Sequence, residues 1–565
     1  MSKGLDPYEQ RREQMFPTLS ADQISRIASH ATRRRARRGE VLFDQGSEGA
    51  PFFAVVTGGL EIVQPDRDEE DPIIVLGPGQ FTGETTLLTG RRSLVRGRVT
   101  QDGELLEVGA GALRALVQTD SELGELFMRA FILRRVGLIA RGLGDVVLVG
   151  SRYSPRTMRL REFLERNGHP HAYVDVERDA DAEEVLARLG VCVEEVPVVI
   201  CHSELVLRNP TPEAVADCLG FNASIDVGKL RDLLVVGAGP AGLAAAVYGA
   251  SEGLDVLVVE SQAPGGQAGS NSKIENYLGF PTGISGQALA GRAFAQAEKF
   301  GASVAIARTA ARLLCERKPY AVLLASGEVV HARAVVVASG AEYRKPPLER
   351  LPAFEGIGVY YAATPVEARV CQDEEVIIVG GGNSAGQAAT YLAGTITVGK
   401  EEKPIAKHVH MLVRARDLSE SMSRYLIDCI KDHPRITLHT QTEIEALDGE
   451  THLEQVRWRS SATGEVKTCA IRHVFLMTGA VPNTVWVDGC LVMDDKGFVK
   501  TGSDLSADEL ADAHWPLTRA PYLLETSMPG VFAVGDVRAG SIKRVASAVG
   551  EGSICVQLAH KVLAE

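Results

Sequence analysis

Two glycine-rich turns carry the chemistry most plainly in this sequence. Gly237-Ala238-Gly239-Pro240-Ala241-Gly242 follows the apolar run 233–236, and Gly380-Gly381-Gly382-Asn383-Ser384-Ala385 follows the apolar run 376–379. Glycines in this pattern let the chain turn tightly and let its backbone approach a pyrophosphate, which then rests on the N-terminus of the next helix. Glu260 ends the strand-like run after the first turn, where an acid accepts hydrogen bonds from ribose hydroxyls. After the second turn the matching run, 409–413, enters Arg414-Ala415-Arg416 instead of an acid. Guanidinium groups there suit a ribose 2′-phosphate, and Arg424 is a third eligible partner.

Further motifs attach to the first turn. Gly265-Gly266-Gln267 precedes Ile274-Glu275-Asn276-Tyr277 and Gly279-Phe280-Pro281. Later come Gly479-Ala480-Val481-Pro482-Asn483-Thr484, the run from Gly530 to Gly535-Asp536-Val537, and Lys543-Arg544-Val545-Ala546 leading to Gly550-Glu551-Gly552. Together these resemble the low-molecular-weight thioredoxin reductases from about Asp232 to Glu565. The resemblance implies FAD at the first site, held by Gly237, Gly239, Pro240, Ala241, Gly242, Glu260, Gly266, Gln267 and Asn276, with Gly535, Asp536, Arg544, Val545 and Ala546 from the later motifs. Asp536 takes the ribityl chain by the same resemblance. It also implies a nicotinamide nucleotide at Gly380, Gly382, Asn383, Ser384 and Ala385, with Arg414, Arg416 and Arg424 favouring NADPH over NADH.

Such reductases pass electrons from the flavin to a Cys-x-x-Cys dithiol. Here the corresponding place is Tyr360-Tyr361-Ala362-Ala363-Thr364-Pro365, and no two of the nine cysteines are three positions apart. Cys371 is expected to be a small buried residue. No catalytic side chain is therefore assigned: the flavin is the reactive centre, and the acceptor is a one-electron carrier, a quinone, oxygen or a partner's disulfide. The reductases of this type that serve ferredoxin and NADP also lack the dithiol. Two rival readings are a disulfide reductase of thioredoxin working through partner thiols, and a non-catalytic redox or cyclic nucleotide sensor.

These residues need elements to position them. Strand and helix alternate after Asp232, predicting a Rossmann-like FAD domain at 230–352 and 479–565, with a Rossmann-like NAD(P) domain at 353–478 inserted into it. Ahead of them, 143–222 alternates strand and helix in a compact α/β unit and resembles a glutaredoxin, its dithiol rewritten as Ser154-Pro155-Arg156-Thr157 and Val196-Pro197 fitting the cis-proline. Hydroxyls form no disulfide, so a docking or spacer role is expected. Residues 1–142 predict a small β-barrel from runs at 40–43, 52–56, 60–63 and 73–76, closed by a helix over 122–140. Gly39–Leu60 resembles a cyclic nucleotide-binding domain, whose phosphate cassette maps onto Gly83, Glu84, Arg92 and Ser93. A cyclic nucleotide is thus a candidate effector.

Composition bounds the remainder. The chain has 565 residues and a net charge of −13, which disfavours a general nucleic-acid coat. The basic run from Arg33 to Arg38 is expected to be a solvated strand edge or turn. No recognition helix pair follows the barrel, so control of transcription is disfavoured. An odd cysteine count without tight spacing, and no apolar leader or run of about 20 residues, predict a cytoplasmic protein off the membrane. No metal cluster is expected, and the resemblance favours a homodimer.

Overall fold

The computed structural model describes residues 12–565 apart from 48, 65–70, 84–92, 141–145, 179–190, 192–194, 202–204, 223–225, 227, 272, 399–400 and 451. It divides into two compact units. The first comprises Met1–Arg152, Phe163–Asp226 and Ala295–Ile306, and the second Tyr153–Glu162, Val227–Phe294 and Ala307–Glu565.

In the first unit, a five-stranded antiparallel sheet runs Thr32–Ala36, Arg96–Val108, Phe52–Gln64, Asp71–Leu76, with Val41–Phe43 also on Arg96–Val108. Side chains alternate faces along a strand. Phe52 and Ala54 accordingly join a core with Phe81, Leu113, Phe127 and Phe131, while Phe53 and Val55 join a second with Leu60, Leu76 and Val99. Both faces are covered, which explains the unbroken apolar run. The runs at 52–56 and 60–63 form one strand, Phe52–Gln64, rather than two. Gly58, at φ 90°, lies where the pairing register shifts, so it makes a bulge instead of a turn.

The basic run lies on the paired strand Thr32–Ala36 and its flank. Arg33 meets Glu104, Arg34 meets Glu40 and Glu107, and the Arg38 amide donates to Asp102. Two of its five arginines, Arg33 and Arg34, are thus paired with acids.

A second sheet of this unit has the order Ala172–Asp175, Val146–Gly150, Val198–Cys201, Leu205–Arg208. The first pair is parallel and the others antiparallel, and the Val196–Pro197 peptide is cis. Residues 179–190 of this segment lie outside the described residues.

The second unit holds both glycine turns. Its first sheet orders Val256–Glu260, Arg231–Val236, Val329–Val337, Tyr320–Leu324 and Ala310–Leu314, and Val531–Ala533 adds in parallel beside Val329–Val337. Strands from both sides of 353–478 therefore build one sheet. The second sheet, Val359–Tyr360, His473–Leu476, Glu375–Val379, His408–Val413, Ile436–Thr440, is wholly parallel. Parallel strands are covered on both faces, and 233–235, 257–258, 335–337 and 376–378 have at most 1% of their surface exposed. Between helix Asn383–Leu392 and strand His408–Val413 lies a hairpin, Thr395–Val398 on Glu401–Pro404.

Cys201 is bonded to Cys218 and Cys315 to Cys490, across 17 and 175 residues, while Cys371, Cys429, Cys469 and Cys555 are free. Sequence spacing carried no sign of these pairs, because folding alone brings their Cα atoms to 6.7 and 6.0 Å. Among the described residues no helix is long and apolar enough to cross a membrane.

Candidate functional site

The first turn is shaped by contacts that only glycine permits. A Cβ at Gly237, where φ is 104°, would stand 2.3 Å from the Ala338 carbonyl, and one at Gly242 would stand 1.8 Å from that of Gly237. Gly239 caps helix Pro240–Ser251 without any side-chain cap bond. The first amides of that helix consequently stay available to an anion. Pro240 sets the helix start, and Ala241 packs beneath Gly535 and Gly552, whose Cβ atoms would come within 3.0 and 2.2 Å of it.

Glu260 ends its strand and is 8% exposed. Its carboxylate accepts from the Ala238 amide at 2.7 Å and the Gln262 amide at 2.9 Å, so it braces the turn from below. Each oxygen retains a second lone pair for a ribose hydroxyl. Gly266 lies against Gly239, a Cβ there falling 3.0 Å from the Gly239 Cα, and Gln267 donates to the Ala341 carbonyl at 2.5 Å. Asn276 is exposed on the following loop.

Asp536 sits in the single turn Gly535–Val537. The Gly535 amide and Arg538 both donate to Glu551 at 2.7 Å, which fixes that turn against helix Val545–Ala564. Burial pushes the Asp536 carboxyl above its usual range, and Glu551 adds to this while Lys543 opposes it. A half-buried carboxylate so placed gains from hydroxyl donors, as a ribityl chain supplies. Arg544 caps the same helix and is exposed, as is Ala546, with Val545 half-buried between them. Glu551 lies within the Gly550-Glu551-Gly552 motif, which gave it no role of its own; its support of this turn comes from the fold.

The second turn repeats the first. A Cβ at Gly380, φ 147°, would meet the Met477 carbonyl at 2.4 Å, whereas one at Gly382 would meet nothing within 4 Å. Gly382 caps helix Asn383–Leu392 with no side-chain cap bond, and Ala385 is buried beneath it. Asn383 accepts from the Ser423 amide at 2.8 Å and its hydroxyl at 3.0 Å, and the Ser421 hydroxyl donates to the Gly381 carbonyl at 2.8 Å. These bonds fasten the arginine-bearing segment 414–424 to the turn. Arg414 and Arg424 have side chains 85% exposed and pair with Glu443 at 3.8 Å and Asp428 at 3.1 Å, while Arg416 is exposed. Ser421 and Ser423 were missed from sequence; Ser423 as a helix cap before Arg424 was the available signal.

Where the dithiol would lie, Ala363 and Thr364 are buried and the thiol of Cys371, in the same core, is pushed well up by burial. Such a thiol does not ionise readily and is a poor nucleophile. Both cradles thus fit a dinucleotide pyrophosphate, and the segment 360–365 holds no sulfur.

In the first unit, Gly83 has φ 116° and its carbonyl accepts from Arg134 at 2.8 Å. Ser93 is buried, its hydroxyl donating to the Val95 carbonyl at 2.9 Å. Glu84 and Arg92 lie outside the described residues.

Residues 231–552 match the model for pyridine nucleotide-disulphide oxidoreductase, and residues 33–120 match that for the cyclic nucleotide-binding domain. Thioredoxin reductase of Streptomyces clavuligerus is 32% identical over 339 residues, 60% of this chain and 95% of its own. That of Listeria monocytogenes is 29% identical over 337 residues, again 60% and 95%. The fold is like that of Lactococcus lactis thioredoxin reductase in the FR conformation, with TM-score 0.51, 24% identity, and coverage of 59% of this chain and 99% of that one. The family match spans both glycine turns and more than half of the sequence, so this chain belongs to the pyridine nucleotide-disulphide oxidoreductases, as a thioredoxin reductase-like flavin oxidoreductase with an N-terminal cyclic nucleotide-binding domain.

Proposed function

We propose that the chain oxidises NADPH through FAD and delivers the electrons to an acceptor outside its own thiols, under control of a cyclic nucleotide. One observation carries this reading: two uncapped, glycine-lined helix starts share a compact unit in which the segment 360–365 holds no sulfur. FAD, when bound, supplies a centre that accepts hydride and can release electrons in one or two steps. The chain's own residues orient and enclose. Gly237, Gly239 and Gly266 shape the first pyrophosphate cradle, Glu260 and Asp536 take hydroxyls of the flavin nucleotide, and Gly380, Gly382 and Ser384 shape the second. Arg414, Arg416 and Arg424 supply the positive charge that selects a 2′-phosphate, which places NADPH ahead of NADH.

The division at 1–142, 143–222, 230–352 with 479–565, and 353–478 goes with this reading, as do a homodimer and a cytoplasmic setting. Gly83, Glu84, Arg92 and Ser93 are the proposed cyclic nucleotide contacts. Anaerobic stopped-flow mixing of the FAD-loaded chain with NADPH tests the core of it. The flavin band should bleach, and faster with NADPH than NADH; an unchanged band overturns the proposal. An acceptor screen on the reduced chain, with and without cyclic AMP or cyclic GMP, then identifies the outlet.

A second reading, reduction of thioredoxin, is favoured by the names of the relatives. Burial of Cys371 opposes it as an internal relay. Turnover of purified thioredoxin with NADPH is expected to be absent or very low, and brisk turnover would put this reading first.

A further inference from the structure

Three consecutive residues ahead of Arg424 grip the second turn. The Ser421 hydroxyl donates to the Gly381 carbonyl at 2.8 Å, and Ser423 brings both its amide and its hydroxyl to the side-chain oxygen of Asn383, at 2.8 and 3.0 Å. Between them Met422 is buried and packs over Gly386, where an added Cβ would stand 2.9 Å from its Sδ and Cε. Gly381 is crowded too: a Cβ there would lie 3.1 Å from Val413 and 3.6 Å from the Ser421 hydroxyl oxygen. Ser423 is also the N-cap of helix Arg424–Asp432, a place where serine ordinarily accepts from an amide of its own helix. It makes no such bond, and its hydroxyl is turned to Asn383 instead.

The other end of the arginine segment is held as well. The Gln441 amide donates to the carbonyl of Ala415, the residue between Arg414 and Arg416, at 3.0 Å. It does so from a left-handed backbone, φ 49°, that a residue with a side chain rarely adopts. Gln441 is fixed in turn by Ser461, whose amide and hydroxyl both donate to its carbonyl, at 2.7 and 3.0 Å. The arginine side chains have weaker holds, because Arg414 and Arg424 make their ion pairs in water, where such pairs contribute little. What the fold fixes is their backbone, relative to the turn that cradles a pyrophosphate.

We propose that Ser421 and Ser423 are positioning residues that determine nucleotide specificity: their clamp on the second turn holds the arginine segment where it meets a ribose 2′-phosphate, so that discrimination between NADPH and NADH depends on them. This rests on the NADPH preference proposed above and deepens it. Both nucleotides carry the pyrophosphate, and only the 2′-phosphate calls on the arginines. Loosening the clamp therefore weakens NADPH and spares NADH.

The test titrates the full FAD-loaded chain, Ser421→Ala, Ser423→Ala and the double variant calorimetrically with NADP+ and with NAD+. The NADP+ Kd should rise about threefold in each single variant and about tenfold in the double one, with the NAD+ Kd within about twofold of wild type throughout. An unchanged NADP+ Kd in the double variant would overturn the inference. So would equal weakening of both nucleotides, which reports a distorted pyrophosphate cradle rather than a displaced arginine segment. A wild-type chain that binds NAD+ as tightly as NADP+ would instead strike the NADPH preference itself, and the role of the clamp with it.

Discussion

At position 367 a carboxylate occupies the kind of place that normally excludes one. Thr364-Pro365-Val366-Glu367 has the spacing of a helix-capping pattern, and Glu367 accepts from the Thr364 amide at 2.8 Å and from its hydroxyl. The acid is nevertheless buried, and burial, reinforced by the charge of Glu162, pushes its carboxyl up to about 7. A group whose folded value is raised contributes stability that is fully present below its unfolded value and is lost as pH rises through the folded one. Stability should therefore decline through neutrality. Glu367→Gln keeps an oxygen for both Thr364 donors and removes the titration. In denaturant unfolding it should match wild type near about pH 5 and exceed it by roughly 1–3 kcal/mol near about pH 9. Parallel pH curves for the two proteins would show that Glu367 does not titrate in this range.

Elements differ in how far their residues dictate them. The glycine turns were legible because their geometry is a property of residue type: φ of 104° at Gly237 and 147° at Gly380 are positions that side chains rarely adopt, and the apolar runs before them suit only buried parallel strands. Strand Phe52–Gln64 was split in the reading because a bulge glycine and a turn glycine look alike in sequence. Likewise Cys315–Cys490 and the Ser423–Asn383 bond join residues far apart in the chain, and no local pattern encodes them. The segment before the last strand is a further case. Arg519 pairs with Glu525 at 2.6 Å and Glu565 at 2.8 Å and lies 4.1 Å from the centre of the Tyr522 ring, while Glu525 is fully buried and also accepts from Gly530 at 2.9 Å. Arg519→Ala leaves that acid without its cation, and should cost about 3–5 kcal/mol in urea unfolding. Adding Glu525→Gln to it should recover part of the loss, since the amide needs no counter-charge; a double variant as unstable as Arg519→Ala would refute the ion-pair account.

On the scale of the whole molecule, the proposed control requires that the ligands of the cyclic nucleotide-binding domain and of the flavin oxidoreductase be coupled. Coupling is a free energy shared by two sites, so a cyclic nucleotide that changes NADPH affinity must have its own affinity changed by the same factor. Within the first unit Arg134, on helix Ser121–Ala140, donates to the carbonyls of Met15 and of Gly83, one of the proposed cyclic nucleotide contacts. The expectation is measured by calorimetric titration of the FAD-loaded chain with cyclic AMP or cyclic GMP, with and without saturating NADP+. The cyclic nucleotide Kd should shift by about fivefold or more between the two conditions, the low end of typical coupling. Arg92→Ala should abolish the titration in both, because the phosphate loses its cation. Tight cyclic nucleotide binding with an identical Kd in both conditions would leave the domain a ligand-binding appendage and remove control of NADPH binding from the proposal.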